Sequence, residues 1–188
     1  IGSRMKLVIK ISGVFLFMLI MMAFVSPQKK LDKLISKVWK DQDVEVVRVV
    51  IPDSLKTDIM VLSEVISEGE TVGYACYATA FGCQIGGCAA PSNPNAQTYE
   101  TFDYIVLYDT DLNILRVDIA DYGGQYGYEI CRKKWLAQFK GENNGFILDK
   151  NIDGISGATV SAQYLIDDVN KIGDKMKTID LNSLVAHK

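Results

Sequence analysis

Histidine is almost absent from this chain, and the one residue, His187, lies in the C-terminal tail. A single tail histidine is incidental to chemistry, and no Ser/His/Asp set can be assembled around it. An excess of positive charge is also missing. Lys and Arg number 20 against 23 Asp and Glu, the net charge is −3 and the pI is about 5.2. No basic patch stands out that would neutralise phosphates, so nucleic acid is excluded as a partner. There is no Walker-type phosphate loop, no internal repeat, no low-complexity tract and no Cys-x₂-Cys pair of the zinc-ribbon or thioredoxin kind.

What is present suits a folded chain. The 188 residues are 48% apolar and 23% charged, which fits one domain with small appendages rather than disorder. Ile1-Gly2-Ser3-Arg4 stand ahead of Met5 and read as an expression-tag remnant or as a genuine upstream start. Residues 7–25 are apolar except for Lys10, Ser12 and Gly13. The stretch is about the ~20 residues needed to cross the hydrocarbon layer, with Lys10 snorkelling to one side. A cleaved signal peptide has the same profile, but the exit Met22-Ala23-Phe24-Val25-Ser26-Pro27 lacks the small residues that cleavage prefers. The expected division is therefore 1–26 as remnant and membrane anchor or signal segment, and 27–188 as the functional domain. Lysines flank the apolar stretch on both sides, so charge bias does not set its orientation.

Beyond it, Leu31, Leu34, Ile35 and Val38 recur at helical spacing and predict an amphipathic helix over 27–40. Strands are expected at 43–51 and 71–80, and a strand or short helix at 59–66. An irregular loop should occupy 81–98, with a hairpin from strands 102–108 and 113–120 after it. A Gly/Tyr loop follows at 121–128, then a helix at 130–139, a turn at 141–145 and a short strand at 146–148. The pattern predicts an α+β fold: a small, mainly antiparallel sheet with packed helices, preceded by one N-terminal transmembrane or signal helix.

The segment with the most chemical content is Asp153-Gly154-Ile155-Ser156-Gly157-Ala158-Thr159-Val160-Ser161. It enters a helix whose apolar stripe is Ala158, Ala162, Leu165, Ile166, Val169, Ile172 and Met176. Thr159 falls in the first turn and off that stripe, with Ser156 as a suitable N-cap. First-turn amides lack intrahelical partners and sit at the positive end of the helix dipole, so a phosphate is accommodated there. Gly154 and Gly157 allow close approach of the backbone to a ligand. The same residues also suit an ordinary capped helix. The aspartates 149, 153, 167 and 168 read as solvated carboxylates rather than a cation site.

This nine-residue string resembles the flavinylation motif of FMN-binding domains, found in the RnfG and NqrC subunits of ion-translocating electron-transfer complexes and in related membrane-anchored reductases. The wider layout of 27–177 resembles those domains too, although the attachment motif alone is specific. The resemblance implies that Thr159 carries FMN through a phosphodiester, installed by a Mg²⁺-dependent flavin transferase that uses FAD as donor. It implies that Ser156, Gly157 and Ala158 line the phosphate and ribityl approach, that Asp153 helps the transferase recognise the site, and that Val160 and Ser161 complete the motif. It further implies other membrane redox subunits as partners and a single-pass location in a bacterial inner membrane, with the domain on the periplasmic side, or secretion if the segment is cleaved. The family often carries a Thr-Pro-Gly-Leu-Gly loop after the hairpin. This chain has Asp121-Tyr122-Gly123-Gly124-Gln125-Tyr126-Gly127-Tyr128-Glu129 there instead. Tyr126 or Tyr128 could offer an aromatic face to the flavin ring, or the tyrosines could cover the core.

The four cysteines are Cys76, Cys83, Cys88 and Cys131. Cys83 and Cys88 bracket Gln84-Ile85-Gly86-Gly87, and they form the simplest candidate disulfide because the glycines let the loop close tightly. Free thiols and a metal centre remain open. Two alternatives to the electron-carrier reading follow: a thiol–disulfide or metal-binding module built on Cys83 and Cys88, and a non-catalytic assembly subunit that lacks flavin.

Overall fold

The computed structural model describes residues 27–51, 61–84 and 99–178. They form an α+β fold around one five-stranded sheet. Its strands are β1 (Val44–Val49), β2 (Val61–Ser67), β3 (Glu70–Gln84), β4 (Tyr99–Tyr108) and β5 (Ile114–Tyr122). Each strand pairs antiparallel with the next in sequence, so the sheet is a simple meander. The helices are α1 (Pro27–Val38), α2 (Lys133–Leu136) and α3 (Thr159–Thr178).

Side chains of a strand alternate between faces, and here both faces are buried. On β4, Phe102, Tyr104, Val106 and Tyr108 join the core under α3, while Ile105 and Leu107 join the core under α1. On β3, Tyr74, Cys76, Ala78 and Ala80 face α3, whereas Ala75 and Tyr77 face α1. The central strands therefore read as continuous apolar runs, which a sheet covered on both sides requires. Leu31, Leu34 and Ile35 of α1 pack with Trp39 on one face. Ala162, Leu165, Ile166, Val169, Ile172 and Met176 of α3 pack on the other, each essentially inaccessible to water. Asn170 ties the connection before α3 to the helix: its amide accepts from Phe146 N at 2.9 Å and donates to Phe146 O at 2.8 Å.

The amphipathic helix, the strands around 43–51 and 71–80 and the hairpin appear where the sequence placed them, and the ambiguous segment 59–66 is strand where described. Four expectations need correction. The 81–98 loop begins later, because β3 continues to Gln84 and β4 already starts at Tyr99; residues 85–98, with Cys88, lie outside the described residues. The Gly/Tyr loop also starts later, since β5 runs to Tyr122, whose ring stacks on Phe102 at 5.4 Å. The helix expected at 130–139 is broken into a 3-10 turn (Tyr128–Cys131), the single α-turn of α2 and a second 3-10 turn (Ala137–Phe139). Arg132 has extended dihedrals (φ −67°, ψ 118°), which interrupts the helix while leaving Ile130, Trp135, Leu136 and Phe139 in the core. Residues 146–148 form no strand; Leu148 makes one isolated bridge to Ile152.

The apolar stretch 7–25 and His187 also lie outside the described residues. Among those described, no helix is long and apolar enough to cross a membrane.

Candidate functional site

Ile155 to Ala158 makes a tight turn. Ala158 N donates to Ile155 O at 3.2 Å, and Gly157 sits at φ 85°. A positive φ at the third position of a hydrogen-bonded turn is the type II signature, which glycine adopts without strain. The chain then enters α3 directly: Ala162 N bonds to Ala158 O at 2.8 Å, the first i to i−4 bond. The N-cap is thus Ala158 and not Ser156, a correction to the sequence reading. Ser156 is spent in the turn, two residues too early to reach the first-turn amides. An alanine cap has no side-chain oxygen to offer those amides.

Thr159, the first residue of α3, is exposed, as are Ser156, Gly157 and Asp153. Val160 is half-buried, and Ser161 is fully buried. Asp153 is held by its backbone: its N–H donates to Gln138 Oε1 at 2.9 Å, and its carbonyl accepts from Trp135 Nε1 at 2.7 Å. Its carboxylate faces water, available to a partner.

Ser161 is the hub beneath the exposed motif. Its Oγ lies 3.0 Å from Tyr122 OH and 3.5 Å from Cys83 Sγ, and Tyr122 OH donates to Tyr126 O. A phenol has one proton, and here the Tyr126 carbonyl takes it. Ser161 must therefore donate to Tyr122, and the Cys83 thiol to Ser161. The result is a one-way chain, Cys83 to Ser161 to Tyr122 to the Tyr126 carbonyl, that joins β3, α3, β5 and the Gly/Tyr loop. Burial is the main cause that pushes the Tyr122 phenol up to about 12, with the Ser161 bond opposing it, so Tyr122 keeps its proton at neutral pH. Gly127 closes the arrangement at φ 85°: a Cβ there would collide with Ser161 Oγ and come within 2.7 Å of Tyr122 OH.

The Gly/Tyr loop thus packs against the first turn of α3. Tyr126 and Tyr128 are 45% and 61% exposed, so they present aromatic surface to solvent rather than covering the core. Glu129 reaches the other side of the motif, its Oε1 3.4 Å from where a Gly157 Cβ would stand. Glu129 Oε2 is buried without a hydrogen-bond partner. Phe81, Tyr99 and Tyr164 form a second aromatic group on the β3 side of α3, with ring centroids 5.9–6.1 Å apart in edge-on contact. Phe81 and Tyr99 are 54% and 41% exposed.

Tyr122, Glu129 and this aromatic group were not foreseen from sequence. Tyr164 carries the one local signal, an aromatic residue off the apolar stripe of its helix. Cys83 reaches Ser161 through an irregularity. Even-numbered residues 74–80 of β3 face α3, and the register shift between Phe81 and Gln84 turns odd-numbered Cys83 to that side. Cys76 is fully buried, and its thiol is pushed up by burial and by Asp168. Among the described residues no group of three or more His, Cys, Asp or Glu could hold a metal ion.

No protein-family model matches the chain, and no curated protein matches it.

Proposed function

We propose that the protein is a membrane-tethered electron-transfer flavoprotein carrying FMN as a phosphodiester on Thr159. The observation that carries this reading is an exposed threonine in the first turn of α3, at the end of the Asp-Gly-x-Ser-Gly-Ala-Thr string, preceded by an alanine N-cap that has no side-chain oxygen for the first-turn amides. A phosphate ester formed there would meet the first-turn N–H groups, which have no intrahelical partner, and the positive end of a 20-residue helix.

The neighbourhood fits the rest of the group. Glu129 Oε2 is an acceptor without a donor beside Gly157, and a ribityl hydroxyl seated against that turn would supply one. The exposed rings of Tyr126 and Tyr128 give aromatic surface within the loop that packs on the attachment turn. The hydrogen-bond chain from Cys83 to Tyr126, buried at its Cys83 and Ser161 end, keeps this loop against α3. When bound, the flavin supplies the redox chemistry; the protein holds, orients and shields it. Asp153, with a fixed backbone and a free carboxylate, is the contact offered to the Mg²⁺-dependent transferase.

The 7–25 stretch anchors the domain on the periplasmic side of a bacterial inner membrane, within reach of other membrane redox subunits. A covalent cofactor suits that location, where a lost flavin is not readily replaced. Flavin fluorescence of the denatured full-length band, produced with the transferase, tests the reading. Fluorescence that survives denaturation and vanishes in Thr159→Ala supports it. A colourless wild-type band sinks it, and leaves the Cys83/Cys88 thiol module or the flavin-free assembly subunit. Non-reducing intact mass then separates those two.

A further inference from the structure

The charge on α1 is out of proportion to the chain. The protein is acidic overall, with a net charge of −3, yet Lys29, Lys30, Lys33 and Lys37 all lie on this one helix. At about 100° per residue they fall within an arc of about 100° on one flank. Leu31, Leu34 and Ile35 define the neighbouring buried stripe, and Asp32 and Ser36 lie on the far flank. A cleft of about 410 Å³ separates the lysine flank from β5 and α2, and Lys133 and Leu34 also line it.

Most of this charge is uncompensated. Arg116 and Asp118 at the cleft neutralise each other at 2.8 Å. Lys30 Nζ donates to Ala120 O at 2.5 Å. Lys29, Lys33, Lys37 and Lys133 make no ion pair among the described residues, and all are exposed. Like charges gathered in this way repel one another, and a surface of several negative groups relieves the repulsion.

We propose that this flank of α1, with Lys133, is a docking surface for the headgroups of anionic phospholipids. The inference rests on the membrane reading of residues 7–25 given above. α1 starts at Pro27, two residues beyond that stretch, and spans about 18 Å; laid along the surface, it would hold all its lysines at the level of the headgroups. The lysines are spread along the helix rather than converging on one point, which suits a layer of phosphates better than one small anion. Leu34 lines the cleft beside them, an apolar wall along which lysine stems can lie. Docking would lay the α1 face on the membrane and leave the α3 face, with Thr159, turned away from it.

Lysine acetylation footprinting of the full chain in nanodiscs tests this. Discs of phosphatidylcholine are compared with discs that also contain phosphatidylglycerol. Lys29, Lys33, Lys37 and Lys133 should react about threefold or more slowly in the anionic discs, and salt near ~0.5 M should abolish the difference. Lys150 and Lys177, which sit on the α3 side of the sheet, should not change. The variant Lys29→Glu/Lys33→Glu/Lys37→Glu should remove the protection of Lys133. Equal rates in the two kinds of disc overturn the proposal. Equal protection by inorganic phosphate in phosphatidylcholine discs also overturns it, in favour of a soluble anion. A chain that fails to enter discs overturns the membrane reading of 7–25 instead. Flotation with preformed phosphatidylglycerol vesicles then decides the surface alone: salt-sensitive flotation supports it, and none overturns it.

Discussion

The two faces of the sheet are covered alike but built differently. Under α1 the helix contributes only apolar side chains, and the polar groups facing it, Ser63 and the Tyr77 hydroxyl bonded to Asp103, belong to the sheet. Under α3 the helix itself carries buried or half-buried polar groups. Ser161 sits in a four-group chain, and Tyr104 OH donates to Asp168 Oδ2 at 2.5 Å from a position with no water access. Buried polar groups contribute little net stability even when satisfied, and they cost more when one partner is lost. A helix that carries them is fixed in geometry rather than merely packed against the sheet. That helix presents Thr159 at its exposed start.

Several changes would break or sharpen this contrast. The largest effect expected is on the cofactor. Thr159→Ala should abolish covalent flavin while shifting stability by no more than about 0.5 kcal/mol, because the side chain is exposed. Fluorescence of the denatured band and a urea melt read both halves.

Next come the two apolar cores. Leu165→Ala should cost about 3–4 kcal/mol, since Leu165 is fully enclosed. Leu34→Ala should cost about 2 kcal/mol, because Leu34 borders an open cleft that water can fill. Equal urea midpoints for the two would erase the difference claimed between the faces.

A smaller cost is expected for Tyr104→Phe, about 1–2 kcal/mol, because Asp168 loses a buried donor. If the variant is as stable as the parent, the buried polar pair is not a constraint on α3.

The smallest concerns pH. Tyr122 has a folded-state pKa raised to about 12 from the ordinary value near 10. A raised pKa means that the protonated phenol is favoured in the fold. Its contribution is complete below pH ~10 and is lost as pH climbs toward ~12. Tyr122→Phe should therefore lose less stability than the parent over that interval, in melts at matched ionic strength. Other tyrosines titrate high as well, Tyr104 and Tyr108 among them through burial, so the parent declines from several sites and the variant removes one share.

Local pattern made much of the fold legible. The spacing of Leu31, Leu34 and Ile35, and the longer stripe of α3, reported burial because a helix has one repeat and one inward face. The hairpin of β4 and β5 could be anticipated because the short turn at 109–113 leaves an antiparallel neighbour as the accessible partner. The break at Arg132 was not legible. The apolar residues around it satisfy a helical pattern, and the core they fill accepts them from two 3-10 turns just as well.

The site divides along the same line. That Thr159 stands at the start of a helix, outside its apolar stripe, follows from the order of residues alone, since helical periodicity is local. Its setting does not. The meeting of Cys83, Ser161 and Tyr122 joins residues 39 to 78 positions apart, and it depends on a register irregularity in β3. The concentration of charge where Lys133 faces the lysines of α1 likewise depends on how far β5 carries the chain before α2 begins. Composition and periodicity carry no record of such distances, because packing sets them only after the strands have paired.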